Sequence, residues 1–496
     1  MHRVRIFSTA LLATLLFAFV ILWMLRTAPV ANAAASAQST TSSSSAQTAN
    51  SSATQQPGTL AAPGSVIYNA KRGESIPLIA RHFLSRTSYL TSAELAEAIR
   101  KINSKGQSNA VRAGDAVVIP GILDAPIVEK SVQVPRDFEV RAVYLTGVMA
   151  GSDHGLRIIR RWRELGGNAV VFDVKDSDGI LNIPFEHPLA LQKRRPVIAN
   201  LPKFVRFLHS QNMHAIARIA IFRDERLVVT HPELAVQSRR SGQPWRENGK
   251  LVWTDPSDQK VQAYNIALAT AAAQSGVDEV QFDYVRFPAE GDQKDASFVF
   301  QREHPTWHRS DVITDFLKKA YADLHPQGVL LSLDVFGVMA WQRSVDLAHT
   351  GQDIPAMARY CDVLSPMIYP SHFFGMDGYA RPGDAPEHFI GESMDRFQLI
   401  TKDTGVVLRP WLQAFAWRTR TYSPKYIQVQ VETSNKKGGI GFLFWNANNN
   451  YSKPYEAMPA MRAAKLFRGD EVPKPGSVAS QPSLGPRVTL VSAPAQ

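Results

Sequence analysis

Asp278-Glu279-Val280-Gln281-Phe282-Asp283-Tyr284-Val285-Arg286-Phe287-Pro288 is the stretch whose reading decides the fold. It opens as a buried strand. Val280, Phe282 and Tyr284 share one face, and Gln281 and Asp283 share the other. Such a strand packs its apolar face on helices and turns its polar face into something that needs polar groups. An acid at the C-terminal edge of a parallel sheet stands where ligands bind. The plainer explanation is a structural ion pair between Asp283 and Arg286.

The pattern repeats outward from this stretch. Glu139 to Thr146 reads as strand one, and a helix from about Gly155 to Leu165 ends at Gly166-Gly167, a C-cap signal. Strand two, Asn168 to Lys175, places Val170, Phe172 and Val174 opposite Asp173 and Lys175. Strand three, Ala215 to Phe222, carries Arg218. A long insertion, Arg223 to Pro256, and a helix from about Ser257 to Ser275 lead to the opening stretch as strand four. Strand five is Val329 to Phe336, with Ser332 and Asp334 on its polar face. Strand six is Asp362 to Tyr369, strand seven Val406 to Phe415, and strand eight Ile440 to Asn446. Eight strands alternating with helices predict an α/β fold, a (β/α)8 TIM barrel, over residues 138–468. An open doubly wound sheet would show a Gly-rich phosphate turn, which Gly147 and Gly151 do not make.

Barrel strands are covered on both faces, so polar residues on them need a reason. Asp173, Asp283 and Asp334 all stand near C-terminal strand ends on the face assigned inward. The alternative to catalysis is a salt-bridge network with Lys175, Arg218 and Arg286. Glycoside hydrolysis needs two carboxyl groups flanking the scissile bond, about 5 Å apart for retention and farther for inversion. Asp283 and Asp334 come from adjacent strands, whose backbones lie about 4.8 Å apart, so the closer spacing is within reach. Asp283 is the candidate nucleophile or charge stabiliser, kept ionised by Arg218 or Arg286. Asp334, flanked by Phe336, is the candidate acid. Asp173 orients a hydroxyl or replaces either role. Gln281, Arg218, Arg286, Gln413 and Asn446 are candidate hydrogen-bonding residues for a sugar. Tyr284, Tyr369, His372, Trp411, Trp417 and Trp445 are candidate stacking surfaces, although each alone is more often core.

Two metal signals are weak. Asp173-x-x-Asp176-x-Asp178-Gly179 resembles the start of a calcium loop but lacks the downstream glutamate. His304 and His308 are separated by Pro305, which argues against a shared helix and zinc. No metal and no cofactor is expected. The lone Cys361 lies in an apolar strand and reads as packing.

The rest of the chain reads as modules. The 496 residues are too many for one core. His2, Arg3 and Arg5 precede an apolar run from about Ala10 to Leu25, followed by Ala31-Asn32-Ala33. Residues 1–33 therefore read as a signal peptide or an uncleaved signal-anchor, predicting export to the periplasm or cell envelope and membrane attachment if uncleaved. Residues 34–64 are a Ser/Ala/Thr/Gln spacer, 122–137 a linker, and 469–496 a Pro/Ser-rich tail. Residues 65–121 read as a small α+β unit. Ile76, Ile79, Ala80 and Phe83 recur at helical spacing, as do Leu95, Ala98, Ile99 and Ile102. The net charge of +11 comes from scattered Lys and Arg with no basic stripe interleaved with aromatics, so nucleic acid is not an expected partner.

Two resemblances follow. Gly73-Glu74-Ser75, Ile102-Asn103 and Ala113-Gly114-Asp115-Ala116-Val117-Val118-Ile119-Pro120, in β-α-α-β order, resemble the LysM family. That resemblance implies binding of N-acetylglucosamine-containing glycans such as peptidoglycan. The segment between its helices, around Ser85 to Thr91, is longer than usual. GGNAVVFDVKDSDG from Gly166, ARIAIFRDE from Ala217, DEVQFDYVRFP, LLSLDVFG from Leu330, CDVLSPMIYPSHF from Cys361 and Thr254-Asp255-Pro256 resemble a bacterial glycosyl-hydrolase-like family with a TIM barrel, otherwise a domain of unknown function. This implies a barrel related to α-amylase-like glycosidases. There the nucleophilic Asp ends strand four, where Asp283 lies. The usual acid is a Glu after strand five, where this chain has Asp334. The expected substrate is a cell-envelope or extracellular polysaccharide. The rival is a non-catalytic glycan-binding or scaffold protein on a degenerate barrel.

Overall fold

The computed structural model describes residues 64–190 and 195–461. The proposed leader, the spacer up to residue 63 and the tail from 469 fall outside these residues. Among the described residues no helix is long and apolar enough to cross a membrane.

Eight parallel strands close into a barrel. They are Val140–Leu145, Ala169–Lys175, His214–Ala220, Glu279–Asp283, Leu330–Phe336, Val363–Ile368, the pair Val407–Leu408 and Trp411–Gln413, and Gly441–Trp445. Each pairs with its neighbour in sequence, and the eighth pairs with the first through Gly441–Val140 to Phe444–Val143. Gly441 has φ +76°, and a Cβ there would collide with the Val140 carbonyl, so glycine lets the seam close. The seventh strand is not continuous as expected. Pro410 has no N–H for the ladder and splits it.

Alternation along the strands divides the core. Outward residues such as Val170, Phe172, Val280, Phe282, Leu331 and Leu333 pack under the helices in one large cluster. Inward residues such as Val140, Ala142, Val171, Ile216 and Leu443 form a second cluster inside the barrel. At the base of the interior, Glu279 accepts from Arg409 Nη1 at 2.8 and 3.0 Å and lies 3.1 Å from His214 Nε2. Burial opposes the Glu279 charge most strongly, but Arg409 and His214 together outweigh it and hold the carboxyl down at about 2.

The alternation fails in two places. A register shift between Asp173 and Lys175 turns Lys175 outward, against the expectation that it shares the face of Asp173. Its ammonium donates to Asp224 Oδ2 at 2.9 Å and Asn265 Oδ1 at 2.8 Å, fully buried beneath the helix Gln259–Gln274. Tyr284, expected on the Val280 and Phe282 face, has left the strand with φ +55°.

Before the barrel, Ser65–Asn69 pairs antiparallel with Ala116–Pro120, enclosing helices Ile76–Phe83 and Ser92–Ile102. Ile76, Ile79, Ala80, Phe83, Leu95, Ala96 and Ile99 form its core. Ala96, not Ala98, is buried, and Ile102 is exposed. Asn103 fastens the second helix to the closing strand, donating to Ile99 and Val118 carbonyls and accepting from the Val118 amide. Lys203 of the barrel donates to the Leu84 and Tyr89 carbonyls of this unit. The connecting segment is tied down too: Val132 N–H donates to Asp278, and Glu129 accepts from Arg206.

Candidate active site

Register brings the acids together. Asp173 on strand two stands opposite Arg218 on strand three, and Ala220 stands opposite Asp283 on strand four. Phe282 pairs with Leu333, so the next step sets Asp283 beside Asp334 of strand five. Arg218 Nη1 donates to Asp173 Oδ1 and Nη2 to Asp283 Oδ2, each at 2.5 Å. Its Nε lies 3.7 Å from Asp334 Oδ2. One guanidinium therefore touches carboxyl groups from three strands.

The environments of these groups differ. Asp283 is 8% exposed, and its Oδ1 accepts from the Tyr284 amide at 2.6 Å. Asp334 is 1% exposed and accepts from Trp411 Nε1 at 2.6 Å. Burial, reinforced by the Asp283 charge, pushes the Asp334 carboxyl well above the usual range; Arg218 and Trp411 oppose this without prevailing. Asp173 is also raised, by burial first, although Arg218 and the Tyr144 hydroxyl, which donates to it at 2.5 Å, act against the shift. Burial works against the Arg218 charge, but Asp173, Asp283 and Asp334 outweigh it and hold the guanidinium protonated. Burial pushes the His372 imidazole down to about 3, so the ring is neutral near pH 7.

A cavity opens above these groups. Asp283, Asp334 and Arg218 line it, and so do Arg286, Tyr369, His372, Trp411 and Trp445. Asp173 lies behind Arg218 and is not part of the lining. Trp445 stacks on Tyr144, centroids 6.0 Å apart, and stays partly exposed. Trp411 is buried and acts on Asp334 through its indole N–H rather than as a platform.

Three proposed substrate contacts lie elsewhere. Gln281 sits below the cavity, with Nε2 3.4 Å from Ser365 Oγ. Gln413 Oε1 accepts from the Ser371 amide, and its Nε2 donates to the Phe415 carbonyl and Thr419. Asn446 donates to the Ala414 carbonyl and accepts from the Asn448 and Asn450 amides. Both side chains use their hydrogen bonds to shape loops. Trp417 packs beneath Arg418 and does not line the cavity. Of the three cations expected around the acids, only Arg218 pairs with them.

Sequence reasoning missed Gln352, Met367 and Phe415 in the lining. Gln352 is 2% exposed, and its Nε2 reaches the Val285 carbonyl at 3.4 Å. It follows Gly351 between two short helices, and no periodicity points to it.

The calcium-like stretch forms a turn, in which Asp176 Oδ1 accepts from the Asp178 amide and Asp178 Oδ1 from the Ile180 amide. His304 stacks on Trp307 at 4.2 Å. Among the described residues no group of three or more His, Cys, Asp or Glu side chains is arranged to hold a metal ion.

Solved structures resemble the chain over different lengths. A hypothetical protein from Ruminiclostridium thermocellum is 35% identical over 39% of this chain and 97% of that one, with a TM-score of 0.34. The PgaB (BpsB) glycoside hydrolase domain from Bordetella bronchiseptica is 15% identical over 65% and 98%, with a TM-score of 0.49. The spore cortex-lytic enzyme SleL from Bacillus megaterium is 11% identical over 81% and 86%, with a TM-score of 0.41. No curated protein matches the chain. Residues 142–451, more than half of the chain and nearly all of the barrel, match one family along their length, and the chain belongs to that family, described as "Putative glycosyl hydrolase domain".

Proposed function

We propose that the chain hydrolyses glycosidic bonds of a cell-envelope or extracellular polysaccharide by a two-carboxylate mechanism. One observation carries this reading: Asp283 and Asp334, from adjacent strands, meet the same guanidinium at the floor of one cavity at the barrel mouth. Asp334 is the acid. Its raised pKa keeps a proton ready for the leaving glycosidic oxygen. Asp283 faces the anomeric carbon as nucleophile or as the charge that stabilises an oxocarbenium-like transition state. The shared guanidinium and neighbouring strands support the closer carboxyl separation, about 5 Å, that accompanies retention. Asp173 acts through Arg218, fixing its fork. Trp445 and Tyr369 offer ring faces to a sugar. An exported location follows from the N-terminal segment, and the small β-α-α-β unit is a candidate glycan-binding module.

A second reading is a non-catalytic glycan-binding protein, favoured by the double ion pair that ties Arg218 to Asp173 and Asp283. The full chain incubated with peptidoglycan, α-glucans and secreted polysaccharides separates the two. New reducing ends that vanish in Asp283→Asn and Asp334→Asn, with binding retained, support the enzyme. Binding without reducing ends from any polymer supports the scaffold. Acetate released without reducing ends overturns the hydrolase class proposed here.

A further inference from the structure

Arg286 is the second cation of the cavity, and its surroundings differ from those of Arg218. It is 9% exposed, lines the same cavity as Asp283 and Asp334, and forms no ion pair with any carboxylate among the described residues. Its guanidinium lies 4.7 Å from the Trp253 ring centroid, 4.6 Å from Phe336 and 5.7 Å from Tyr284. One N–H donates to the Phe287 carbonyl at 3.0 Å. Glu247, Asp283 and Glu290 act on it only through space, and burial outweighs them, lowering its pKa.

The rings position the fork but leave most of its donors unused, since a guanidinium carries five N–H groups and π faces accept none in the plane of the fork. A neutral sugar filling the cavity would strip water from this cation and return no charge. An unpaired buried charge is costly, whereas a carboxylate meets the planar fork with two parallel hydrogen bonds. Given the glycosidase reading, on which this step rests, we infer that the sugar bound beside Asp283 and Asp334 is acidic, with Arg286 receiving its carboxylate. A uronic acid and a sugar bearing a lactyl ether both supply that group.

Matched sugars test this without turnover. Thermal shift and calorimetric titration of the full chain use glucuronate against glucose, galacturonate against galactose, and N-acetylmuramate against N-acetylglucosamine. At least one acid should bind roughly 10- to 100-fold more tightly than its neutral partner, the range of a charge-assisted pair of bonds. Arg286→Met should erase that difference, and Arg286→Lys should keep part of it. The pair that discriminates tells a uronic acid from a lactyl ether. Equal binding of acid and neutral partner in all three pairs, by the unaltered protein, overturns the inference. So does discrimination that survives in a folded Arg286→Met. Acid-selective binding with no cleavage of any acidic polymer would uphold Arg286 and sink the hydrolase reading instead.

Discussion

Replacing Asp334 by Asn tests the assignment of the acid through stability. The Asp334 carboxyl is raised well above the usual range in the folded protein, burial being the main cause. In the unfolded chain it titrates near 3.9. From about pH 4 upward the folded state therefore keeps a proton that the unfolded state has lost. Stability then falls as pH rises, by about 1.4 kcal/mol per unit for this group, until the folded pKa is passed. The side-chain amide of Asp334→Asn titrates nothing and can still accept the Trp411 N–H. The variant's stability relative to the parent should thus climb as pH rises from about 4.5, by at most about 1.4 kcal/mol per pH unit. Urea unfolding of both proteins at pH 4.5, 5.5 and 6.5 measures this directly. A difference that stays constant across the three values would mean that Asp334 titrates alike in both states, and the assignment as a stored proton would be refuted.

Other perturbations test neighbouring parts of the reading. Trp411→Phe removes the donor that favours the Asp334 carboxylate, so the alkaline limb of the pH–rate profile should move up by roughly 0.5 to 1 unit; an unmoved limb would detach Trp411 from the acid. Lys175→Met strands Asp224 in the interior and should cost about 3–5 kcal/mol in urea unfolding while leaving the pH–rate profile in place. Arg409→Met leaves Glu279 without its guanidinium and should cost a similar amount, about 3–5 kcal/mol at pH 7. Because Glu279 is lowered to about 2 when folded, its contribution in the parent is present above the unfolded value near 4.3 and is lost as pH falls toward 2. The penalty of Arg409→Met should therefore shrink in acid, which stability curves at pH 3 and 7 will show.

The barrel and its charged floor were legible because they depend on local periodicity. Strands two to seven each carry a polar residue where a polar residue is unexpected, and closure follows from the number and order of the eight strands. Asp173, Asp283 and Asp334 fall on one face by counting in twos. What counting cannot see is a change of phase. Lys175 has the right parity to join Asp173, but the register shift before it turns it to the helices. Tyr284 has the parity of Phe282 but lies beyond the strand's last residue in a left-handed conformation. Gln413 and Asn446 have the right type and place, yet the Ser371 amide, distant in sequence, claims the first side chain, and the amides of Asn448 and Asn450, just downstream, claim the second. Gln352 reaches the cavity only because the chain after strand five folds back over the mouth. The contacts of Gln413 and Gln352 join segments far apart in the chain, and no single window contains them.

The ionic tier of Glu279, Arg409 and His214 has a consequence for traffic. It plugs the barrel from beneath, so the cavity above Asp283 and Asp334 does not continue along the barrel axis. Whatever is released leaves at the C-terminal rim of the strands, and no strand of polymer can be threaded along the barrel axis. A cleaved fragment that still fits the chamber obstructs the next arrival, so end-product inhibition should be competitive with substrate.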